Sequence, residues 1–263
     1  RNPAWGWSND NQYKTGSATY GSKFRVNVKI KTGYHWVKWS GTFETTTQDY
    51  TFTVSNKNYD ITANTAANTY TISYNGNGNT GGSTASSSHS YDTSKKLTKN
   101  GFTKTGYSFV KWNTKSDGSG TSYTNEQSVK NLTSTNGGKI TLYAIWKLNA
   151  PSGVTHSTTR RRDKIGVSAS YNGVSISNIT VYYRANSTGD YSSLNLGTSS
   201  SGVISGLKPN TNYQIYVKVT NSAGSASSTA AVVKTGVYLP TKPTTTVSNI
   251  QATSVTATVS ATA

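Results

Sequence analysis

The sequence predicts a mostly β protein built as an elongated row of small modules in tandem. The first observation is an internal duplication: TGYHWVKW, which begins at Thr32, returns as TGYSFVKW at Thr105, 73 residues later. The second is an alternation of apolar and polar residues between turn residues, which is typical of half-buried strands. The third is the scarcity of helical spacing. A chain of 263 residues has room for two to four such modules.

The alternation is clearest in five segments bounded by turn residues. These segments are 24–30, 50–54, 70–74, 140–145 and 213–219. In each of them every second side chain is apolar, so one sheet face meets the core and the other meets water. Asn-Gly and Asp-Gly pairs, such as those at 75–78 and 117–118, are predicted to form the turns, because they tolerate positive φ.

Helical spacing is predicted in only two short segments. In residues 124–132, Asn125 is placed to cap a helix that turns Val129 and Leu132 inward. Residues 94–98 are the weaker candidate. The fold class is therefore β-rich with little helix.

The composition limits both the core and the chemistry. Hydrophobic residues make up 32% of the chain, but 18 Tyr and 6 Trp supply large rings for small cores. The chain has no Cys, so it forms no disulfide or thiolate metal site, and it has no Met. The lack of Cys fits an exported protein of Gram-positive bacteria or their phages. No segment approaches the roughly 18 apolar residues that span a bilayer, so no membrane insertion is expected.

The formal net charge is +17, from 26 basic and 9 acidic residues. Such a charge attracts nucleic acid, teichoic acid or an acidic surface, but it also serves solubility alone. The basic residues are scattered, and the one dense run is Arg160, Arg161 and Arg162, followed by Asp163. We favour the solubility interpretation and expect no specific nucleic-acid partner. The arginine run stays a candidate for binding an anionic ligand.

Short polar or proline-bearing joints predict four segments. The joints fall at 65–68, 148–151 and 237–243, and the last of them carries two prolines. The predicted segments are 1–67, 68–148, 149–236 and 237–263.

Three motifs run through the second segment. Residues 70–147 open with YTISYNGNGNTGGS, continue through LTKNGFTKTGYSFVKWNTKSDGSGTSY and close with TLYAIWK. In these motifs the segment resembles the Listeria–Bacteroides repeat, also called the internalin B-type repeat. The resemblance implies a small β-grasp-like fold and a bacterial surface protein. We expect Tyr107, Phe109, Trp112 and Trp146 to supply core rings.

Residues 20–64 are similar to a second, diverged copy that lacks the NTKSDGSGTSY insertion. Tyr34 and Trp39 occupy the positions of Tyr107 and Trp112, so we expect them in the core. The opening strand of this copy is either supplied by residues 5–7 or lies upstream of Arg1, and we favour a truncated start.

The third segment carries GLKPNTNY from Gly206 and YVKVTNSAG from Tyr216. It resembles a fibronectin type III domain, which implies a β-sandwich. Tyr213 matches the tyrosine corner of that family, whose hydroxyl bonds backbone a few residues upstream. The usual strand-B Trp is missing, so Tyr171 or Ile165 fills part of its volume.

Residues 241–263 are similar to the first two strands of another such domain. Two strands cannot close a sandwich. We therefore expect a fragment of a longer modular protein.

No catalytic, cofactor or metal constellation is visible, and we predict that the chain is not an enzyme. His35, His89 and His156 are dispersed, and none has a ligand-type partner at short spacing. We interpret His35 as a packed or edge residue. The nine carboxylates do not pair in the way a two-carboxylate site requires.

Exposed aromatic residues are the remaining candidates for ligand binding. Trp5 and Trp7 flank a single Gly and could stack on carbohydrate. Trp36 and Trp39 are more readily explained as core.

The leading hypothesis is a non-enzymatic, extracellular structural or adhesion protein, with a preference for a virion protein of a phage tail or fibre. Its partners would be other copies or subunits of a large assembly. One alternative is the stalk of a Gram-positive cell-surface adhesin. The other is a module that binds cell-wall glycan or teichoic acid through Trp5, Trp7 and the arginine run.

Overall fold

The structure is a computed structural model, and it describes residues 18–237, 244–251 and 254–260. The described residues form strands and turns without any helix, which confirms the mostly β class. The strands up to residue 148 are β1 (Lys23–Val26), β2 (Tyr34–Gly41), β3 (Tyr50–Thr53), β4 (Ile61–Ala67), β5 (Thr69–Asn75), β6 (Gly81–Gly82), β7 (Ser87–Ser90), β8 (Lys95–Lys96), β9 (Phe102–Thr103), β10 (Tyr107–Asn113), β11 (Ser122–Tyr123), β12 (Ser128–Val129) and β13 (Gly138–Leu148). The strands after it are β14 (Ser152–Arg160), β15 (Ile165–Asn172), β16 (Ile176–Ala185), β17 (Ser192–Asn195), β18 (Ser201–Ile204), β19 (Asn212–Asn221), β20 (Gly224–Ser227), β21 (Ala231–Lys234), β22 (Thr244–Gln251) and β23 (Ser254–Ser260). Among these residues, none belongs to a helix of the length and apolar character that a membrane span requires.

The chain divides into two compact units. Unit 1 comprises Arg1–Lys104 and Phe109–Lys147, and unit 2 comprises Thr105–Ser108 and Leu148–Ala263. The short segment Thr105–Ser108 holds the second TGY turn, so this turn clusters with the residues that follow position 147. The division into four segments, which was inferred from the sequence, remains a prediction.

The first copy in unit 1 is built from two antiparallel pairs. β1 pairs with β3, and β2 pairs with β4 from Tyr34 opposite Ala67 to Gly41 opposite Ile61. Trp39 is buried, and its indole N–H donates to the carbonyl of Gln48 at 2.9 Å. The other rings pack against one another beside β3, with centroids 4.8 to 6.3 Å apart: Phe24, Phe43, Tyr50, Phe52 and Tyr59. These five rings are half-buried, and their mutual contacts shield apolar area in this short segment.

The second copy is a five-stranded sheet in the order β11-β10-β13-β5-β7. β13 runs parallel to β5, from Gly138 opposite Tyr70 to Tyr143 opposite Asn75. The buried hydrophobic residues of this copy form one cluster: Tyr70, Ile72, Leu97, Trp112, Val129, Leu142 and Ala144. Trp146 is half-buried against that cluster and donates its N–H to the carbonyl of Gly76 at 2.8 Å.

Both helix predictions are wrong. β8 and β12, which lie inside the two predicted helices, pair antiparallel with Ser128 opposite Lys96 and Val129 opposite Lys95. Glu126 and Asn131 have φ of 56° and 58°, and a residue with positive φ cannot continue a right-handed helix. Burial of Leu97 and Val129 in the same core favours the paired strands over local helix.

One buried side chain organises the insertion that the first copy lacks. Asn113 ends β10 and is fully buried. Its amide nitrogen donates to the carbonyls of Gly118 and Gly120 and to the Ser122 hydroxyl, each at 2.9–3.0 Å. Its amide oxygen accepts from the backbone N–H groups of Lys115 and Gly120. The loop is therefore closed around one asparagine.

Unit 2 contains a β-sandwich. One sheet has the order β14-β15-β18, and the other has the order β17-β16-β19-β20, with β21 also paired to β19. This arrangement of a three-stranded and a five-stranded antiparallel sheet, in which β20 and β21 pair with different parts of β19, is that of the fibronectin type III and immunoglobulin-like sandwiches, which agrees with the resemblance drawn from the sequence. The core lies between the sheets and includes Ile165, Ile179 and Ile215. β22 pairs with β23 as a separate antiparallel hairpin.

The predicted core residues occupy two kinds of position. Trp39, Trp112 and Tyr213 are buried, and the Tyr213 hydroxyl accepts the backbone N–H of Lys208 at 3.0 Å, five residues upstream. Tyr34 and Tyr107, in contrast, are half-buried at the start of β2 and β10. They belong to the TGY turns, and Tyr34 contacts the Tyr91 ring and the Asp92 carboxylate.

Candidate functional site: a joint on the TGY turn

Of the ligand-binding residues predicted from the sequence, the structure describes only the arginine run. Trp5 and Trp7 lie outside the described residues. Arg160, Arg161 and Arg162 are exposed where β14 ends. The backbone of Arg161 holds that turn, donating to the carbonyl of Lys164 and accepting the N–H of Gly236, both at 2.9 Å. Within the described residues no group of three His, Cys, Asp or Glu side chains is placed to hold a metal ion.

A polar cluster of unit 1 is built on the first TGY turn. Gly33 has φ of 81° and is buried, and a Cβ at this position would overlap the ring of Tyr91. Only glycine combines this backbone conformation with so close an approach. The Tyr34 ring meets the Tyr91 ring edge-on, with centroids 6.3 Å apart. The turn of the first copy is thus fixed against a residue of the second copy.

Asn68 connects the two copies and has every polar group in a hydrogen bond. It is the single residue between β4 and β5 and is 7% exposed. Its backbone N–H donates to the carbonyl of Gly33 at 2.7 Å, and its carbonyl accepts the N–H of Tyr91 at 2.8 Å. Its side-chain oxygen lies 2.8 Å from His35 Nδ1, and its side-chain nitrogen donates to the carbonyl of Ser134 at 2.7 Å. Leaving buried polar groups unpaired is costly, so this network fixes the linking residue firmly.

Asp92 adds a charged part to the same joint. Its carboxylate accepts from the Asn131 amide at 2.8 Å, from Lys31 at 3.3 Å and from the Tyr34 hydroxyl at 3.2 Å. These donors, the Asn131 amide first and Lys31 after it, hold the pKa of Asp92 below its ordinary value. The hydrogen bond to Asp92 in turn raises the pKa of Lys31. Both groups therefore stay charged at neutral pH and tie the 31–34 segment to the second copy.

The joint differs from the expectation of a short polar linker at 65–68. β4 runs through Ala67 and β5 starts at Thr69, so nearly all of the predicted linker is strand. His35, interpreted from the sequence as a packed or edge residue, is half-buried and bonded to Asn68. Asn68 and Asp92 were not singled out from the sequence. Asn and Asp are so common in turns that neither residue carries a recognisable signal.

The joint is a device for holding backbone segments together. Its members are the Gly33 turn, the Asn68 amide and the Asp92 carboxylate, together with the side chains that bond to them. The fold and this site define the chain as a modular β protein whose neighbouring copies are tied by specific polar contacts.

The comparisons with known proteins agree with this class. Residues 70–145 match the family model of the Listeria-Bacteroides repeat domain, which confirms the resemblance stated from the motifs. No curated protein matches the chain significantly.

Several solved structures are similar to about a third of the chain. One is a fibronectin type III domain of the human collagen alpha-1(XX) chain, at 19% identity over 34% of this chain and 86% of that chain, with a TM-score of 0.30. Another is the FN5 domain of Drosophila Lar, at 22% identity over 33% of this chain and 95% of that chain, with a TM-score of 0.27. A third is a computer-based redesign of a β-sandwich protein, at 20% identity over 35% and 95% of the two chains, with a TM-score of 0.30.

A Listeria-Bacteroides repeat followed by a sandwich of the fibronectin type III kind is the composition of a modular protein of the extracellular, adhesion type.

Proposed function

We propose that the chain is a non-enzymatic structural part of an extracellular stalk, and that this stalk belongs to a virion, as part of a phage tail or fibre. The observation that carries the proposal is the joint at Asn68. A linker that is one residue long, buried and saturated with hydrogen bonds keeps successive modules from moving freely. A stalk needs such joints, because flexible linkers would let the distal part collapse back on the chain.

The stalk acts through steric reach. Its modules hold a distal binding part away from the surface that carries it, and repeated weak contacts with neighbouring subunits gain strength through multivalency. The stalk of a Gram-positive cell-surface adhesin would use the same physics. The preference for a virion comes from the sequence, in which tandem modules of this kind fit a subunit of a large assembly.

Two measurements test the proposal. Small-angle X-ray scattering of the 263-residue chain should give a radius of gyration well above the ~18 Å of a compact domain of that length. A value near 18 Å would contradict the stalk. Mass spectrometry and immunogold labelling of purified phage particles should then find the protein in the virion. Its detection only on the bacterial surface would replace the virion setting by the adhesin one.

A further inference from the structure

The second TGY turn lies in unit 2 and makes the same kind of contact as the first. Gly106 has φ of 75°, and a Cβ here would overlap the side chain of Val174, just as one at Gly33 would overlap Tyr91. The carbonyl of Gly106 accepts the backbone N–H of Asn149 at 2.9 Å. In unit 1 the carbonyl of Gly33 accepts the N–H of Asn68 at 2.7 Å. Each asparagine directly follows the last strand of its copy, β4 or β13.

The side chains repeat the correspondence. Ser108, which stands where the first copy has His35, donates from its hydroxyl to Asn149 Oδ1 at 2.8 Å. His35 Nδ1 lies 2.8 Å from Asn68 Oδ1. The residue two positions after the glycine therefore holds the asparagine side chain in both copies, although one is an imidazole and the other a hydroxyl.

The surfaces that receive the two turns are unrelated. In unit 1 the receiving residue is Tyr91, whose N–H donates to the carbonyl of Asn68 at 2.8 Å. In unit 2 the buried Asn221 fills that role, and its side-chain nitrogen donates to the carbonyls of Asn149 at 2.9 Å and Val174 at 3.1 Å. Both surfaces offer an apolar group over the glycine and one N–H donor for the asparagine carbonyl.

We propose that the TGY turn and the asparagine that follows the last strand form one docking element, used twice in this chain. Its partner is a surface formed by later residues of the same chain, as at Tyr91 and Asn221, provided that it presents an apolar side chain and an N–H donor. This inference deepens the proposed stalk and rests on it: the element fixes the asparagine that follows the last strand of each repeat. It assigns a docking role to Asn149, Ser108 and Asn221, which lie in unit 2.

Amide hydrogen exchange on the full chain, followed by NMR, tests the proposal. The backbone N–H groups of Asn68 and Asn149 should exchange slowly for linker residues, because both are hydrogen-bonded. His35→Ala should speed the exchange of Asn68 by about fivefold, the equivalent of one net hydrogen bond of ~1 kcal/mol. Ser108→Ala should do the same to Asn149 and leave Asn68 unchanged. Ser170→Ala, at an exposed position of β15, is the matched control and should change neither amide.

Two further variants separate docking from a purely local turn. His35→Ser installs the group that the second copy uses, so it should keep Asn68 protected where His35→Ala does not. Asn221→Asp keeps the acceptor for the N–H groups of Ala223 and Gly224 but removes the donor to Asn149, so it should speed the exchange of Asn149. Unprotected Asn68 and Asn149 amides in the wild-type chain would overturn the proposal. So would equal effects of His35→Ser and His35→Ala, or an Asn149 amide that is indifferent to Asn221→Asp. The scattering measurement reports on the stalk separately, so either idea can fail alone.

Discussion

The duplicated tryptophans allow a matched test of one buried hydrogen bond. Trp39 and Trp112 stand at equivalent positions and are 1% and 0% exposed. The indole N–H of Trp39 donates to the carbonyl of Gln48 at 2.9 Å. The indole N–H of Trp112 is buried without a hydrogen-bond partner in the structure. Replacing each by Phe removes similar ring volume, but only the first replacement also breaks a hydrogen bond.

The expected costs follow from these contacts. Trp112 packs against Tyr74 and Phe109, with ring centroids 4.7 and 5.0 Å apart. Trp112→Ala and Trp39→Ala should each cost about 3–5 kcal/mol, as buried large-to-small changes do. Trp112→Phe also removes an unpaired buried donor, whereas Trp39→Phe leaves the Gln48 carbonyl without its donor. Trp39→Phe should therefore cost roughly 1–3 kcal/mol more than Trp112→Phe.

Hydrogen exchange by mass spectrometry measures the free energy of opening in each copy separately, on peptides from residues 18–67 and 69–148. The full chain serves for all four variants, with the wild type as reference. Equal costs for the two Phe variants would refute the reasoning, because they would mean that the indole hydrogen bond contributes nothing. A Trp112→Phe variant costlier than Trp39→Phe would refute it more strongly.

Three other predictions concern single side chains. Asn113→Ala should destabilise the second copy by about 2–3 kcal/mol and open its loop to proteolysis, because it removes a buried side chain that makes five hydrogen bonds to the loop; an uncleaved loop would contradict this. Burial, and secondarily the charge of Lys95, lowers the pKa of His89 in the folded chain. Below pH ~6.5 the unfolded chain therefore binds more protons at this residue than the folded chain does. The free energy of unfolding of residues 69–148 should fall from pH 7 to pH 5, and His89→Phe should flatten that slope; an unchanged slope would count against it. Tyr213→Phe should cost roughly 1–3 kcal/mol in residues 149–236 alone, seen by segment-resolved exchange; a loss elsewhere would be the contrary result.

Much of the fold was predictable because period-two patterns are local. The predicted strands at 50–54 and 70–74 correspond closely to β3 and β5, and those at 140–145 and 213–219 lie inside β13 and β19. The pattern at 24–30 overran, since β1 ends at Val26.

The failures share a physical cause in long-range contact. Residues 94–98 and 124–132 each have the spacing of a short helix. In the structure a strand from one segment pairs with a strand from the other. Local spacing cannot reveal a pairing between distant segments. The joint was hidden for the same reason. Asn68 bonds residues as distant as Gly33 and Ser134, and no local pattern distinguishes it from any other polar linker residue.

The loop closed around Asn113 has exposed positions that tolerate sequence change and anchoring contacts that do not. The anchoring hydrogen bonds reach backbone groups and one hydroxyl, so they do not depend on which side chains occupy the exposed positions at 115–117. The first copy dispenses with this stretch and still folds as strands. Foreign peptides could therefore be grafted at positions 115–117 and displayed, while β10 and β11 keep their register.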